Sequence, residues 1–204
     1  QQTNIETQII SGATGALFLQ IKHGAPFDIF ISADSVRPKL LEQQNLIVTN
    51  SRKTYALGQL ALLSMSNNVQ LSDLIKVPKR FAIANPKLAP YGKAAVQAIK
   101  SAELFDEVQN KFVYAESISQ TVTYTVTATD LGFIAKSSLY SPKMSAYKKD
   151  INWIDVDPKL YTPINQGITI INNAKDNNEV KAFYDFILSS SAKNIFKDFG
   201  YLVP

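Results

Sequence analysis

The chain has no cysteine and a single histidine among its 204 residues, and these two scarcities remove whole classes of chemistry. Without thiols there is no disulfide scaffold, no thiolate metal site and no cysteine nucleophile, and the absence fits an oxidising compartment and the cytosol equally. With His23 alone, a Ser-His-Asp relay has one candidate base and a His-rich metal site cannot be assembled. His23 stands between Lys22 and Gly24 behind an apolar stretch, where a surface imidazole at a helix C-terminus is the expected role. No apolar run approaches the roughly 18 residues of a membrane span, so the chain is not expected to be membrane-spanning itself. The opening residues lack a signal-peptide pattern, and there is no repeat, low-complexity tract or Gly/Ser linker. Charge is modest: 21 Lys and Arg against 17 Asp and Glu give +4. The basic residues are scattered, which argues against a nucleic-acid partner. GxGxxG, P-loop and GxSxG motifs are all missing and the carboxylates are dispersed, so no enzyme motif stands out.

What is present is a core. With 46% hydrophobic residues, the length suits one large domain or two lobes of about 100 residues each. The stretch TQIIS (7–11) reads as a strand, and GATGALFLQIKHG (12–24) as a turn into a helix that Thr14 caps and Gly24 stops. FDIFIS (27–32) follows as a strand burying Phe27, Ile29 and Ile31 on one face, and SVRPKLLEQQNLI (35–47) as a helix. GQLALLS (58–64) and RFAIAN (80–85) read as buried strands, GKAAVQAIKSA (92–102) as a helix, and LGFIAKS (131–137) and GITIIN (167–172) as further strands. Val180, Phe183, Tyr184, Ile187 and Leu188 have the spacing of one helix face, and a shorter helix runs from Ser191 to Gly200. Strands alternating with helices predict an α/β fold. TVTYTVT (121–127) has strong β propensity, yet Ile118, Val122 and Val126 stand four apart, as on a helix.

In alternating folds, ligands gather where strands end and helices begin, because helix N-termini offer unpaired amides and partial positive charge. Three junctions suit an anion. SGATGAL combines small residues with the Thr14 hydroxyl, APYGKAA places Tyr91 between Pro90 and Gly92, and AESISQT lets Ser117 or Ser119 cap a helix and free the Ile118 amide. Asp28 and Asp34 do not form a catalytic pair; anchoring turns or capping the next helix is their expected work. Trp153, Tyr91 and Tyr161 are candidates for stacking on a ligand, with core or lobe-interface packing the expected role of Trp153.

The stretches GALFLQIKHGAPFDIFISAD, ANPKLAPYGKAA, DLGFIAKSSL, TPINQGITII and VKAFYDFILSSSAKNIFKDFGYLVP resemble the periplasmic molybdate-binding proteins of ABC transporters, over essentially the whole chain. The resemblance implies an α/β, two-lobed type II periplasmic-binding-protein-like fold with a hinge of crossover strands, residues 1–60 and 166–204 forming lobe 1 and 61–165 lobe 2. It implies an extracytoplasmic (periplasmic) solute-binding protein, not an enzyme and without a cofactor, that captures molybdate or tungstate for a membrane permease. By motif, Thr14 with Ala13 supplies a hydroxyl and an amide, and Tyr91 and Ile118 supply amides; a tyrosine hydroxyl common in the family falls on Ala135. The resemblance also makes residues 118–128 helical. Family members open with a further strand, a loop bearing a first binding serine and a helix before the region like NIETQIIS. Residues preceding Gln1 are therefore expected to have been removed, to be disordered or to come from another chain, and the chain is expected to be a monomer unless that strand is supplied in trans. The alternatives are a ligand-sensing domain of a transcription regulator and a degenerate binder that has lost its oxyanion.

Overall fold

Two β-sheets, joined where one residue separates consecutive strands, organise the protein. The structure, a computed structural model, describes residues 5–76, 80–129 and 131–204. The lobe limits and the NIETQIIS and DLGFIAKSSL motifs above take in residues 1–4, 77–79 or 130, which lie outside the described residues. In chain order the elements are α1 (Thr14–Lys22), β1 (Ile29–Ser32), α2 (Val36–Gln43), β2 (Lys53–Gly58), β3 (Leu60–Ser64), α3 (Asp73–Lys76), β4 (Phe81–Ala84) and α4 (Pro90–Ser101). There follow α5 (Phe105–Val108), β5 (Phe112–Ala115), α6 (Ile118–Tyr124), β6 (Leu131–Ala135), β7 (Trp153–Asp155), β8 (Ile164–Ile170), α7 (Asn178–Leu188) and α8 (Ser190–Asp198). The first sheet has the order β1-β8-β2 and is antiparallel; the second has the order β5-β4-β6-β3-β7 and is mixed.

β3 and β6 are buried along their whole length, as uninterrupted apolar runs require when both faces of a sheet are covered. Leu60 and Leu62 face the layer of Ala94, Ala95, Ala98 and Ile99 on α4. Ala61 and Leu63 point the other way, to Leu139, Met144 and Trp153, so Trp153 is a core residue. In the first sheet Ile168 and Ile170 meet Val180 and Tyr184 of α7, while Phe30 packs with Ile21 and Leu41 beneath α1 and α2. β7 is tied to the second sheet's rim by Asp155, which lies 2.8 Å from Lys136 Nζ and 2.9 Å from Lys149 Nζ. Burial alone would raise this carboxyl, but the two ammonium groups outweigh it and hold it below the usual range. A depressed folded-state pKa contributes stability that is present above about pH 4 and is lost as pH falls through the folded value. Asp155→Asn is therefore expected to cost about 1 kcal/mol at pH 7, with its Tm converging on the wild type in acid. Equal melting at pH 7 would show the ion pairs to be inert.

Several expectations are corrected. Residues 7–11 form no strand: Ile9 is 82% exposed and no strand of the first sheet pairs with the segment. High β propensity extends a backbone, but only pairing with a neighbour makes a strand. On β1 it is Phe30 and Ser32 that are buried, while Ile31 is 43% exposed. Pairing of Phe30 with Thr169 sets the register, and a shift of one position exchanges the two faces of a strand. Thr14 does not cap α1; Ala13 holds the N-cap position and makes no side-chain cap bond. The stretch 58–64 is two elements, since Gly58 ends β2 in one sheet and Leu60 begins β3 in the other.

TVTYTVT is helical, with α6 widening into a π-turn over Thr125–Thr129. Its threonines satisfy the helix from within: the hydroxyls of Thr121, Thr125 and Thr127 donate to the carbonyls of Ser117, Thr121 and Thr123 at 2.9, 2.8 and 2.8 Å. Val122 and Val126 pack on the core of Leu63 and Ile134, and this burial overrides the local preference for strand.

Candidate functional site: an uncharged cavity between the two layers

Three helices begin at one cavity of about 140 Å³. Its wall includes Ala13 and Thr14 at the start of α1, Ala89, Pro90 and Tyr91 at the start of α4, and Ile118 at the start of α6. The first-turn amides of an α-helix have no acceptor within the helix. Among the described residues, no hydrogen bond engages the amides of Thr14, Tyr91 or Ile118. The three partly positive helix ends therefore converge on a wall that carries no charged side chain.

Local structure explains each placement. The turn after β1 holds the start of α1, because the Ala33 amide donates to the Thr14 hydroxyl at 3.2 Å. Thr14 is an acceptor there, which leaves its own hydroxyl hydrogen for a ligand. Ser32 and Asp34 brace that turn: the Asp34 amide donates to the Ser32 hydroxyl at 3.2 Å, and Asp34 Oδ1 accepts the Arg37 amide at 2.9 Å. Asp34 also ion-pairs with the Arg37 guanidinium, so it anchors the start of α2 as expected, and neither Asp28 nor Asp34 reaches the cavity wall. Proline at N1 starts α4. Ser117 caps α6, its hydroxyl accepting the Gln120 amide at 3.2 Å, whereas Ser119 takes no part in that cap. Across the rim the Gly15 amide donates to Leu88 carbonyl at 3.0 Å and Arg37 Nη2 to Lys87 carbonyl at 3.3 Å, which draws the α1 and α4 ends together.

All four residues expected from the sequence, Ala13, Thr14, Tyr91 and Ile118, line this one cavity. Ala135 does not; it is buried in β6 opposite Leu60. Tyr161 is also a core residue, accepting the Leu60 amide at 3.1 Å on its hydroxyl, and His23 is exposed at the C-cap of α1. Sequence reasoning passed over Tyr55 and Gln166, two polar residues in the wall. Gln166 left one trace, a polar side chain inside a strand that is otherwise almost wholly buried.

An uncharged cavity walled by helix starts of two sheet layers defines a ligand-binding protein, and among the described residues no group of acidic or imidazole side chains is arranged to hold a metal ion. The chain belongs to the bacterial extracellular solute-binding protein family, which it matches over residues 1–202. It is 37% identical over 196 residues to the molybdate-binding protein ModA of Azotobacter vinelandii, covering 93% of this chain and 76% of that protein. Identity to ModA of Rhodobacter capsulatus is 33% over 196 residues, covering 94% and 75%. The solved structure of the Azotobacter vinelandii periplasmic molybdate-binding protein superposes with a TM-score of 0.90 at 31% identity, over 100% of this chain and 90% of that one. The fold is that of the periplasmic binding proteins.

Proposed function

We propose that the chain captures a tetrahedral oxyanion, molybdate or tungstate, in this cavity and passes it to the membrane permease of an ABC transporter on the periplasmic side. The observation that carries the reading is the meeting of Thr14, Tyr91 and Ile118 on one wall without a charged residue. Fixed amide dipoles and a hydroxyl compensate a dianion without a titrating partner. A carboxylate about 4 Å from the guest would repel it by several kcal/mol at intermediate dielectric, and none is present in the wall. The division that follows places residues 1–60 and 166–204 in one lobe and 61–165 in the other, working as a clamp in a monomer. Among the described residues no helix is long and apolar enough to cross a membrane, which suits delivery to a separate permease. The sensing-domain alternative gains nothing from the relatives, which are named as molybdate-binding proteins.

Thermal unfolding with molybdate, tungstate, sulfate and phosphate tests this directly. A ligand at 100 times its Kd adds about 2.7 kcal/mol, which for a chain of this size raises Tm by about 5–10 °C. Molybdate and tungstate are expected to do so and the other two to do less; a flat response to both metal oxyanions would overturn the reading. Thr14→Ala is expected to weaken molybdate binding by about 1–3 kcal/mol in calorimetry, the cost of an unmade bond to charged oxygen. An unchanged affinity would remove Thr14 from the site.

A further inference from the structure

We propose that Gln166 is a positioning residue that sets the width of the cavity, and thereby the choice among oxyanions of different size, by tying the start of α4 to the first sheet. The inference deepens the binding proposal and rests on it. Three buried side chains of the wall form one hydrogen-bonded chain: the Tyr55 hydroxyl on β2 donates to Gln166 Oε1 at 2.5 Å, and Gln166 Nε2 on β8 donates to the Tyr91 hydroxyl at 2.8 Å. Tyr91 belongs to α4, which packs on the second sheet, so the last of these bonds crosses between the layers. The same residue stands in the first turn of α4 and lines the cavity. Moving its side chain therefore moves a wall of the site.

The fit around this chain is close. Gly58 ends β2 just before the crossover, and a Cβ there would lie 2.2 Å from the Tyr91 hydroxyl oxygen and 2.6 Å from Gln166 Nε2. Tyr91 is thus held directly beneath the crossover strand, and it is 3% exposed, as is Gln166. Burial raises both the Tyr91 and Tyr55 hydroxyls well above the ordinary phenol value, so both remain neutral donors at physiological pH. Gln166 Nε2 donates to the Tyr91 hydroxyl, and no charged side chain takes part in this chain of bonds along the wall. Tyr55 is braced in turn by Phe196, with ring centroids 5.2 Å apart.

A fixed floor matters because Mo–O bonds are longer than S–O bonds while both anions are tetrahedral with the same charge. Donors that cannot shift reward one size and penalise the other. Without the Gln166–Tyr91 bond the start of α4 is held to α1 and α2, among the described residues, only by the rim bonds of Gly15 and Arg37, so its amides follow either guest more readily and discrimination falls.

The experiment is calorimetry of molybdate and sulfate binding to the wild type, Gln166→Leu and Tyr55→Phe, with circular dichroism of each unliganded protein. In Gln166→Leu the ratio of molybdate to sulfate affinity is expected to drop about ten-fold, and in Tyr55→Phe by a smaller factor in the same direction. A merely structural role would weaken both anions equally, so folded variants that keep the wild-type ratio overturn the proposal. If Gln166→Leu fails to fold, Tyr55→Phe, which keeps the ring against Phe196, decides alone. A wild type that binds neither anion would sink the proposed function and this inference with it, whereas a binding wild type with unaltered ratios in the variants would sink this inference only.

Discussion

Replacing Gly92 by alanine is expected to lower Tm by about 10 °C or more, corresponding to about 3 kcal/mol in a chain of this size. Gly92 sits in the first turn of α4, where a Cβ would lie 2.0 Å from the carbonyl oxygen of Ala84 and 2.6 Å from its carbon. Those atoms are backbone of β4, a strand buried throughout and paired with β5 and β6, so they cannot swing aside as a side-chain tip would. The helix must lift from the sheet, carrying Tyr91 and the second layer's share of the cavity wall with it. Molybdate affinity is expected to fall together with stability. Gly24→Ala is the control: its backbone is left-handed at φ +85, but a Cβ there meets nothing within 4 Å, so the cost is about 1–2 kcal/mol of backbone strain. Melting of Gly92→Ala at or above the Gly24→Ala temperature would contradict the close seating of α4 on β4.

Ile118→Pro is expected to cost about 1.5–3 kcal/mol in molybdate binding, roughly a ten- to hundred-fold weaker Kd, with little loss of helix. Ile118 is the first residue of α6, the one helical position where proline is well tolerated, because its missing amide hydrogen has no partner in the helix. Ser117 ahead of it is extended, with φ −134 and ψ 163, the conformation a residue before proline prefers. The substitution therefore removes the proposed donor while the Ser117 cap can stay. Ile118→Ala keeps the amide and loses only packing against the core, which separates the two effects. Calorimetry giving equal molybdate affinities for the proline and alanine variants would show that the Ile118 amide does not hold the guest.

Much of the architecture was legible in the chain itself. The spacing of Val180, Tyr184, Ile187 and Leu188 identified α7, and the buried runs LALLS and LGFIA identified β3 and β6. Strands β2, β5 and β7 went unread because KTYALG does not alternate and FVYA and WID are short. The site divided in the same way. Ala13, Thr14, Tyr91 and Ile118 stand at helix starts, which small residues, proline and a serine cap announce locally; Tyr55 and Gln166 lie within strands, where nothing local signals a ligand.

The sequence by itself determined the strongly periodic helix α7 and the uninterrupted buried strands β3, β4 and β6, and it marked the helix starts at Thr14, Tyr91 and Ile118, since periodicity, caps and proline act over a few residues. Only the tertiary structure decided that residues 7–11 go unpaired, that Phe30 instead of Ile31 faces the core, and that three helix starts share one cavity. The bonds from Tyr55 to Gln166 and from Gln166 to Tyr91 span 111 and 75 positions. Such contacts follow from sheet register and layer packing, which depend on all the elements together and on no single stretch of the chain.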